Sequence, residues 1–368
     1  MSGALRQVPA LLTGAAVLAL LGSACRHAPP GRGAPPAVSA ALERGGETHL
    51  KGVRLLTGGG ENAEAYWDDA GERLIFQSTR DGAQCDQIYT MRADGSGVRR
   101  VSSGSGRTTC AYFFPGSGPK AMRGRVLYST TETEGSSCPP RPGHEQGYVW
   151  PVYAAYDIVT ARDDGSDIRP LTRSPGYNAE ATISRDGERI VFTSTRDGDL
   201  ELYTMRWDGS DVRRVTRSPG YDGGAFFSPD GKRLVWRGRH PEGDELAEFT
   251  RLLGQGLVRP SRMELFVGDA DGSNARQIGS FGGANFCPYW HPDGRRIVFA
   301  SNMADPKGRN FDLYLVRDDG TGLERVTTDE TFDGFPMFDP AGRRIVFASN
   351  RGAAVPGETN IAVADWAD

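Results

Sequence analysis

The chain has 368 residues, with 43 basic against 47 acidic side chains and a formal net charge of −4. The charges are scattered rather than gathered into a basic stripe, which argues against nucleic acid as a partner. Its 49 glycines, with almost no sustained helical periodicity, argue against a helical bundle and for short strands joined by tight turns.

The first element is "MSGALRQVPALLTGAAVLALLGSAC". A single early charge, Arg6, precedes an apolar run of signal-peptide length, and the small residues Gly22, Ser23 and Ala24 precede Cys25. The run falls short of the roughly 20 apolar residues that span a bilayer. The pattern resembles a bacterial lipobox, with Gly22 where Leu is usual, and the resemblance implies lipidation of Cys25. The other reading is an ordinary secreted protein cleaved nearby. The expected organisation is a signal peptide over 1–24, a lipidated Cys25 and flexible Pro/Ala/Gly tether over 25–49, and one folded domain over 50–368. Arg26 stands where an Asp would imply inner-membrane retention, so the expected location is the periplasmic side of the outer membrane.

Beyond residue 50 one phrase keeps returning. It reads "YTMRADGSGVRRVS" from Tyr89, "YDIVTARDDGSDIRPLT" from Tyr156, "YTMRWDGSDVRRVT" from Tyr203, "LFVGDADGSNARQIG" from Leu265 and "LYLVRDDGTGLERVT" from Leu313. A shortened copy, "NIAVADWAD", begins at Asn360. Fixed-period repetition marks a repeat architecture. Six apolar segments, "RLIFQS", "RVLYST", "RIVFTS", "RLVWRG" and "RIVFAS" twice, count the units. Across the unit, period-two alternation with Val, Ile, Phe and Tyr marks strands rather than helices. The recurrent Asp-Gly pairs predict two-residue hairpins with both central residues at positive φ. A calcium loop in "DADGS" is the competing reading, but the acidic spacing does not continue.

Four antiparallel strands per unit predict an all-β, six-bladed β-propeller. The last copy lacks its fourth strand, whereas "GVRLLTGG" from Gly52 is an orphan copy of one. Pairing the N- and C-terminal strands would close the ring and remove an exposed edge.

The segments "FSPDGKRLVW", "WHPDGRRIVFASN" and "FDPAGRRIVFASN" resemble the repeats of the TolB-like six-bladed propellers. The resemblance runs from about residue 50 to the end and implies the fold. Propellers of this type serve as protein-binding platforms, as enzyme domains and as lids on peptidases. TolB's separate N-terminal domain and a following hydrolase domain are not expected here, so the resemblance implies neither a Tol-system role nor a serine peptidase.

Alignment of the copies predicts an inner ring at the channel mouth, taken pairwise per blade. The pairs are Asn62/Glu64, Thr108/Cys110, Asn178/Glu180, Asp222/Gly224, Asn285/Cys287 and Asp333/Phe335. A wider ring follows at Arg80, Glu132, Arg196, His240, Met303 and Arg351. One reading makes these turn-forming residues and local ion pairs. The other makes Asn62, Glu64, Asn178, Glu180, Asp222, Asn285, Asp333, Arg80, Arg196, His240 and Arg351 a binding surface for a polar ligand. Only His240 stands where a general base would serve. No nucleophile with a paired base can be assigned, and no cofactor is expected. Cys110 and Cys287 with carboxylates raise the question of zinc without a local ligand motif, so a metal stays undecided. Cys85, Cys110, Cys138 and Cys287 allow three complete disulfide connectivities.

Two insertions are expected on the same face, "TETEGSSCPPRPGHEQGYVWPVY" and "RHPEGDELAEFTRLLGQGLVRPSR". In the second, Leu246, Phe249, Leu252 and Leu253 fall at helical spacing, which predicts a short amphipathic helix over the channel. The functional expectation is a monomeric, lipid-anchored envelope module that binds a protein partner. A periplasmic enzyme or ligand sensor acting on a polar substrate at the mouth is the alternative.

Overall fold

The structure is a computed structural model that describes residues 42–143, 145–308 and 310–368. The expected signal peptide, Cys25 and most of the expected tether lie outside the described residues.

Six four-stranded antiparallel sheets form the blades of the propeller. Their innermost strands are Asn62–Trp67, Thr108–Phe113, Asn178–Ile183, Tyr221–Phe227, Asn285–Trp290 and Asp333–Phe338, for blades 1 to 6 in turn. The second strands carry the apolar segments. Leu74, Ile75 and Phe76 of blade 1 and their counterparts Ile345, Val346 and Phe347 of blade 6 have no exposed surface. Burial on both faces explains why these segments read as unbroken apolar runs.

Ring closure follows the expected pattern. Leu50–Leu55 pairs antiparallel with Asn360–Trp366, in the register Leu50 to Trp366 and Leu55 to Ala362. Blade 6 is thus built from both ends of the chain.

The Asp-Gly hairpins differ in detail from expectation. Only the glycine of each pair has positive φ, as at Gly95 (83°) and Gly209 (83°), and the aspartate does not. Gly95 N–H donates to the Arg92 carbonyl at 2.9 Å, while Asp94 Oδ1 accepts from Ser96 N–H at 2.8 Å. This is a three-residue loop, a turn followed by a left-handed glycine, and the aspartate caps the backbone rather than adopting the left-handed state.

The domain also begins earlier than its first repeat. Leu42 and Glu47, placed by sequence in the tether, are 6 % and 5 % exposed. Glu47 accepts from both terminal guanidinium nitrogens of Arg351, at 2.6 and 2.8 Å, and the Leu42 carbonyl accepts from the same arginine at 3.0 Å. Residues 42–49 are therefore packed onto blade 6.

One disulfide joins Cys85 to Cys138, with a Cα separation of 5.9 Å. Cys110 and Cys287 are free.

Candidate site at the mouth of the central channel

Each innermost strand carries a bulge where its register shifts against the second strand, for example between Ala63 and Tyr66 and between Ala179 and Thr182. The residue at the bulge is left-handed in every blade. It is Glu64 (φ 51°), Cys110 (52°), Glu180 (55°), Gly224 (60°), Cys287 (52°) and Phe335 (53°). A bulge turns a side chain out of the regular alternation. Here it directs one residue per blade into the channel, five of them against the steric preference of an L-residue.

The predicted rings separate into two layers. Asn62, Asn178, Asn285 and Asp333 are fully buried and Asp222 is 1 % exposed, so these first-position residues sit within the blades. They act as latches to the residue eighteen positions later. Arg80 donates to Asn62 Oδ1 at 3.2 Å, Arg196 to Asn178 Oδ1 at 3.0 Å, and Arg351 to Asp333 Oδ2 at 2.7 Å. In blade 4 the latch is His240 Nε2, 3.1 Å from both oxygens of Asp222. Asn285 instead donates to the Met263 carbonyl at 2.8 Å. Arg80 and Arg196 also lie over aromatic rings of their own blades, at 5.2 Å from Phe76 and 5.0 Å from Phe192.

The channel layer belongs to Glu64, Glu180 and the thiols. Burial pushes the Glu64 carboxyl up to about 7, with Glu180 adding to the rise, while a hydrogen bond from Cys110 and the charge of Arg237 oppose it. Its Oε2 is buried without a hydrogen-bond partner. Burial also drives the Cys110 thiol well above its ordinary range and the Cys287 thiol up to about 12, so both remain protonated at neutral pH. Among the described residues no group of three or more His, Cys, Asp or Glu side chains is arranged to hold a metal.

Four residues outside the predicted set complete the layer. Arg237, on the second strand of blade 4, ion-pairs with Glu180 of blade 3 and donates to the Tyr221 hydroxyl at 2.7 Å. Tyr221 in turn lies 3.2 Å from Glu180 Oε2, which also accepts from Thr193 at 2.8 Å. Gly224 makes this possible, because a Cβ there would stand 1.9 Å from Arg237 Nη1. A Cβ on Gly223 would fall 2.7 Å from Glu180 Oε2. The Gly-Gly pair thus clears the volume occupied by the buried ion pair. The fourth residue, Trp150, lies with Arg237 5.6 Å from its ring.

Trp150 comes from the blade 2 insertion. Trp150–Pro151 pairs antiparallel with Leu257–Val258 of the blade 4 insertion, Val258 opposite Trp150. The two insertions therefore join into one strap. The expected helix is present at Gly243–Leu253, with Phe249 and Leu252 buried. Phe249 and Val258 pack with Leu200, Tyr221 and Met263, and Trp150 meets Phe286 of blade 5 at 5.0 Å between ring centroids. Acidic Asp244 and Glu245 in the first turn and Arg251 in the last suit the helix dipole.

Below the bulges the channel is closed. The next inward position carries Tyr66, Tyr112, Thr182, Phe226, Tyr289 and Met337 in blade order. Tyr66 stacks on Tyr112 at 4.4 Å and meets Phe226, three blades away, at 6.1 Å. Phe226 meets Tyr289 at 5.1 Å. The molecule thus has a roofed polar layer resting on an aromatic plug.

These features define a six-bladed β-propeller with a strapped channel mouth. Its fold is like that of a putative TolB from Agrobacterium tumefaciens, with 17 % identity, a TM-score of 0.53 and coverage of 84 % of this chain and 91 % of that one. TolB from Acinetobacter baumannii matches at 18 % identity and a TM-score of 0.55, over 82 % of this chain and 65 % of that one. A gluconolactonase from Xanthomonas campestris matches at 16 % identity and a TM-score of 0.55, over 91 % and 95 % of the two chains. At these identities the likeness is one of fold: a TolB-like six-bladed propeller. No protein family model and no curated protein matches the chain.

Proposed function

We propose that this protein is an envelope-anchored, non-catalytic binding module whose protein partner docks on the strap-bearing face. The observation that carries the reading is the strap itself. Two insertions from different blades are fused into one ordered platform, and long ordered insertions in a compact domain are commonly functional. The groups with unusual chemistry lie beneath that platform, whereas Tyr148, at its outer edge, is 65 % exposed. TolB-like folds in the structural comparison fit a protein-binding role, and the expected signal peptide over 1–24, followed by Cys25, fits export and lipid anchoring. Cys25→Ser should move the protein from the membrane fraction to the soluble one.

The test is site-specific photocrosslinking in the native envelope. A crosslinkable residue at position 148 should give a discrete adduct, and one at Val98, on a blade-rim hairpin and 40 % exposed, should give none. Failure of position 148 to give any adduct removes the partner from this face.

A second reading, ligand sensing at the channel mouth, draws on the unpartnered Oε2 of Glu64. It predicts a stoichiometric bound mass in native mass spectrometry that is lost on Glu64→Ala or Glu180→Ala.

A further inference from the structure

The opposite end of the channel, where the turns after the innermost strands converge, holds a cavity of about 150 Å³. Its floor is the underside of the aromatic plug, with Tyr112, Phe226, Tyr289 and Met337 among the lining residues. A space of this size accommodates one benzene-sized ring. Four charged side chains line it: Asp68, Asp69, Asp339 and Arg185.

Each of the three carboxylates accepts hydrogen bonds from the protein, and Asp339 also has an ion-pair partner, Arg344. Asp68 Oδ1 accepts the backbone N–H groups of Glu72 and Arg73 at 2.8 and 3.1 Å. Asp69 Oδ2 accepts Gly116 N–H at 2.7 Å, and Asp339 Oδ2 takes Arg344 Nε at 3.0 Å. The Arg185 guanidinium, by contrast, has no ion pair or hydrogen bond among the described residues, and its charge reaches Tyr289, where it opposes the upward push of burial on the phenol. The Tyr289 hydroxyl likewise has no hydrogen-bond partner among the described residues. An exposed cation and a half-buried hydroxyl thus stand beside an aromatic floor, neither of them engaged by another side chain among the described residues.

We propose that this cavity is a binding site for a small aromatic monocarboxylate, its ring seated on Phe226 and Tyr112 and its carboxylate held by Arg185 and Tyr289. Ring-on-ring contact supplies the apolar part of the recognition. The guanidinium supplies a charge-assisted, bidentate anchor. No residue of the strapped face takes part, so the site is independent of the docking reading above.

Trp67 and Trp290 line the cavity and provide a fluorescence readout. Benzoate titrated into the mature chain should change tryptophan emission saturably. Arg185→Gln, and replacement of benzoate by benzyl alcohol, should each weaken binding about tenfold or more, the loss expected for one charged hydrogen-bond partner. Lys232→Gln, a charge change at an exposed turn position, should leave the titration unchanged. Absence of saturation, indifference to Arg185→Gln, or preferential binding of benzylamine would each overturn the proposal.

Discussion

Arg237 crosses from blade 4 to ion-pair with Glu180 of blade 3, and neither side chain is more than 15 % exposed. Breaking a buried pair leaves a desolvated charge behind, at a cost of about 3–5 kcal/mol. Glu180→Gln and Arg237→Met should each lower stability in urea unfolding by an amount of that order. The double variant should lose less than the sum of the two, because it strands no charge.

Gly224→Ala tests the same cluster by shape. The new Cβ meets the guanidinium, and the backbone is left-handed, so the variant should be destabilised by about 2 kcal/mol or more. Gly231→Ala provides the comparison, since nothing stands near its Cβ although its φ is also positive at 72°. It should cost only the backbone strain.

Glu64 predicts the pH dependence. Its folded-state carboxyl sits at about 7, above the ordinary 4.5, so the folded protein holds a proton that the unfolded chain has released between those values. Stability from this group is full below pH 4.5 and falls as pH rises to about 7, by about 3 kcal/mol in total. Urea midpoints at pH 5 and pH 8 should show this difference, and Glu64→Gln should flatten it.

The packed segment before the first strand makes a prediction about where the domain starts. A chain beginning at residue 50 loses Glu47 from Arg351, whose guanidinium is fully buried. It should be less stable than one beginning at residue 42 by about 1–3 kcal/mol, since Arg351 loses one charged partner and keeps Asp333. Equal midpoints would show that residues 42–49 add nothing to the fold.

The cysteines should sort by chemistry. Cys110 and Cys287, held protonated by burial, should resist a thiol reagent at neutral pH until the protein unfolds. The Cys85–Cys138 bridge closes a loop over a sequence separation of 53, and replacing both residues by serine should cost about 4 kcal/mol on chain-entropy grounds.

The ring was legible in the sequence because each blade must repeat the same apolar strand and the same hairpin. What repetition conceals is depth. Asn62 and Glu64 are two residues apart in one short strand, yet one is sealed within its blade and the other faces the channel. The bulge between them is a backbone event with no residue signature, since Glu, Cys, Gly and Phe all occupy it. The Arg237 cluster did leave a trace. In the second strands Arg237 stands where Gln77, Ser129, Thr193, Ala300 and Ala348 stand, and the only glycine in the bulge ring lies in the same blade. A charge in a buried strand facing a missing side chain is a readable pair once the copies are stacked. The strap was half legible: the helix followed from its apolar spacing, whereas the pairing of Trp150–Pro151 with Leu257–Val258 involves only two residues on each side.

The closure of blade 6 has a consequence for the order of events in the cell. Its outer strand is among the first parts of the domain to be synthesised, and the strand it must pair with is among the last. Until synthesis reaches Asn360 the early strand has no partner, and the ring stays open however complete the intervening blades are. Closure of the ring therefore waits on the synthesis of Asn360–Trp366. A polypeptide truncated before its final strand leaves Leu50–Leu55 without a partner and one edge of Arg344–Ser349 open, the form most readily drawn into aggregation or proteolysis.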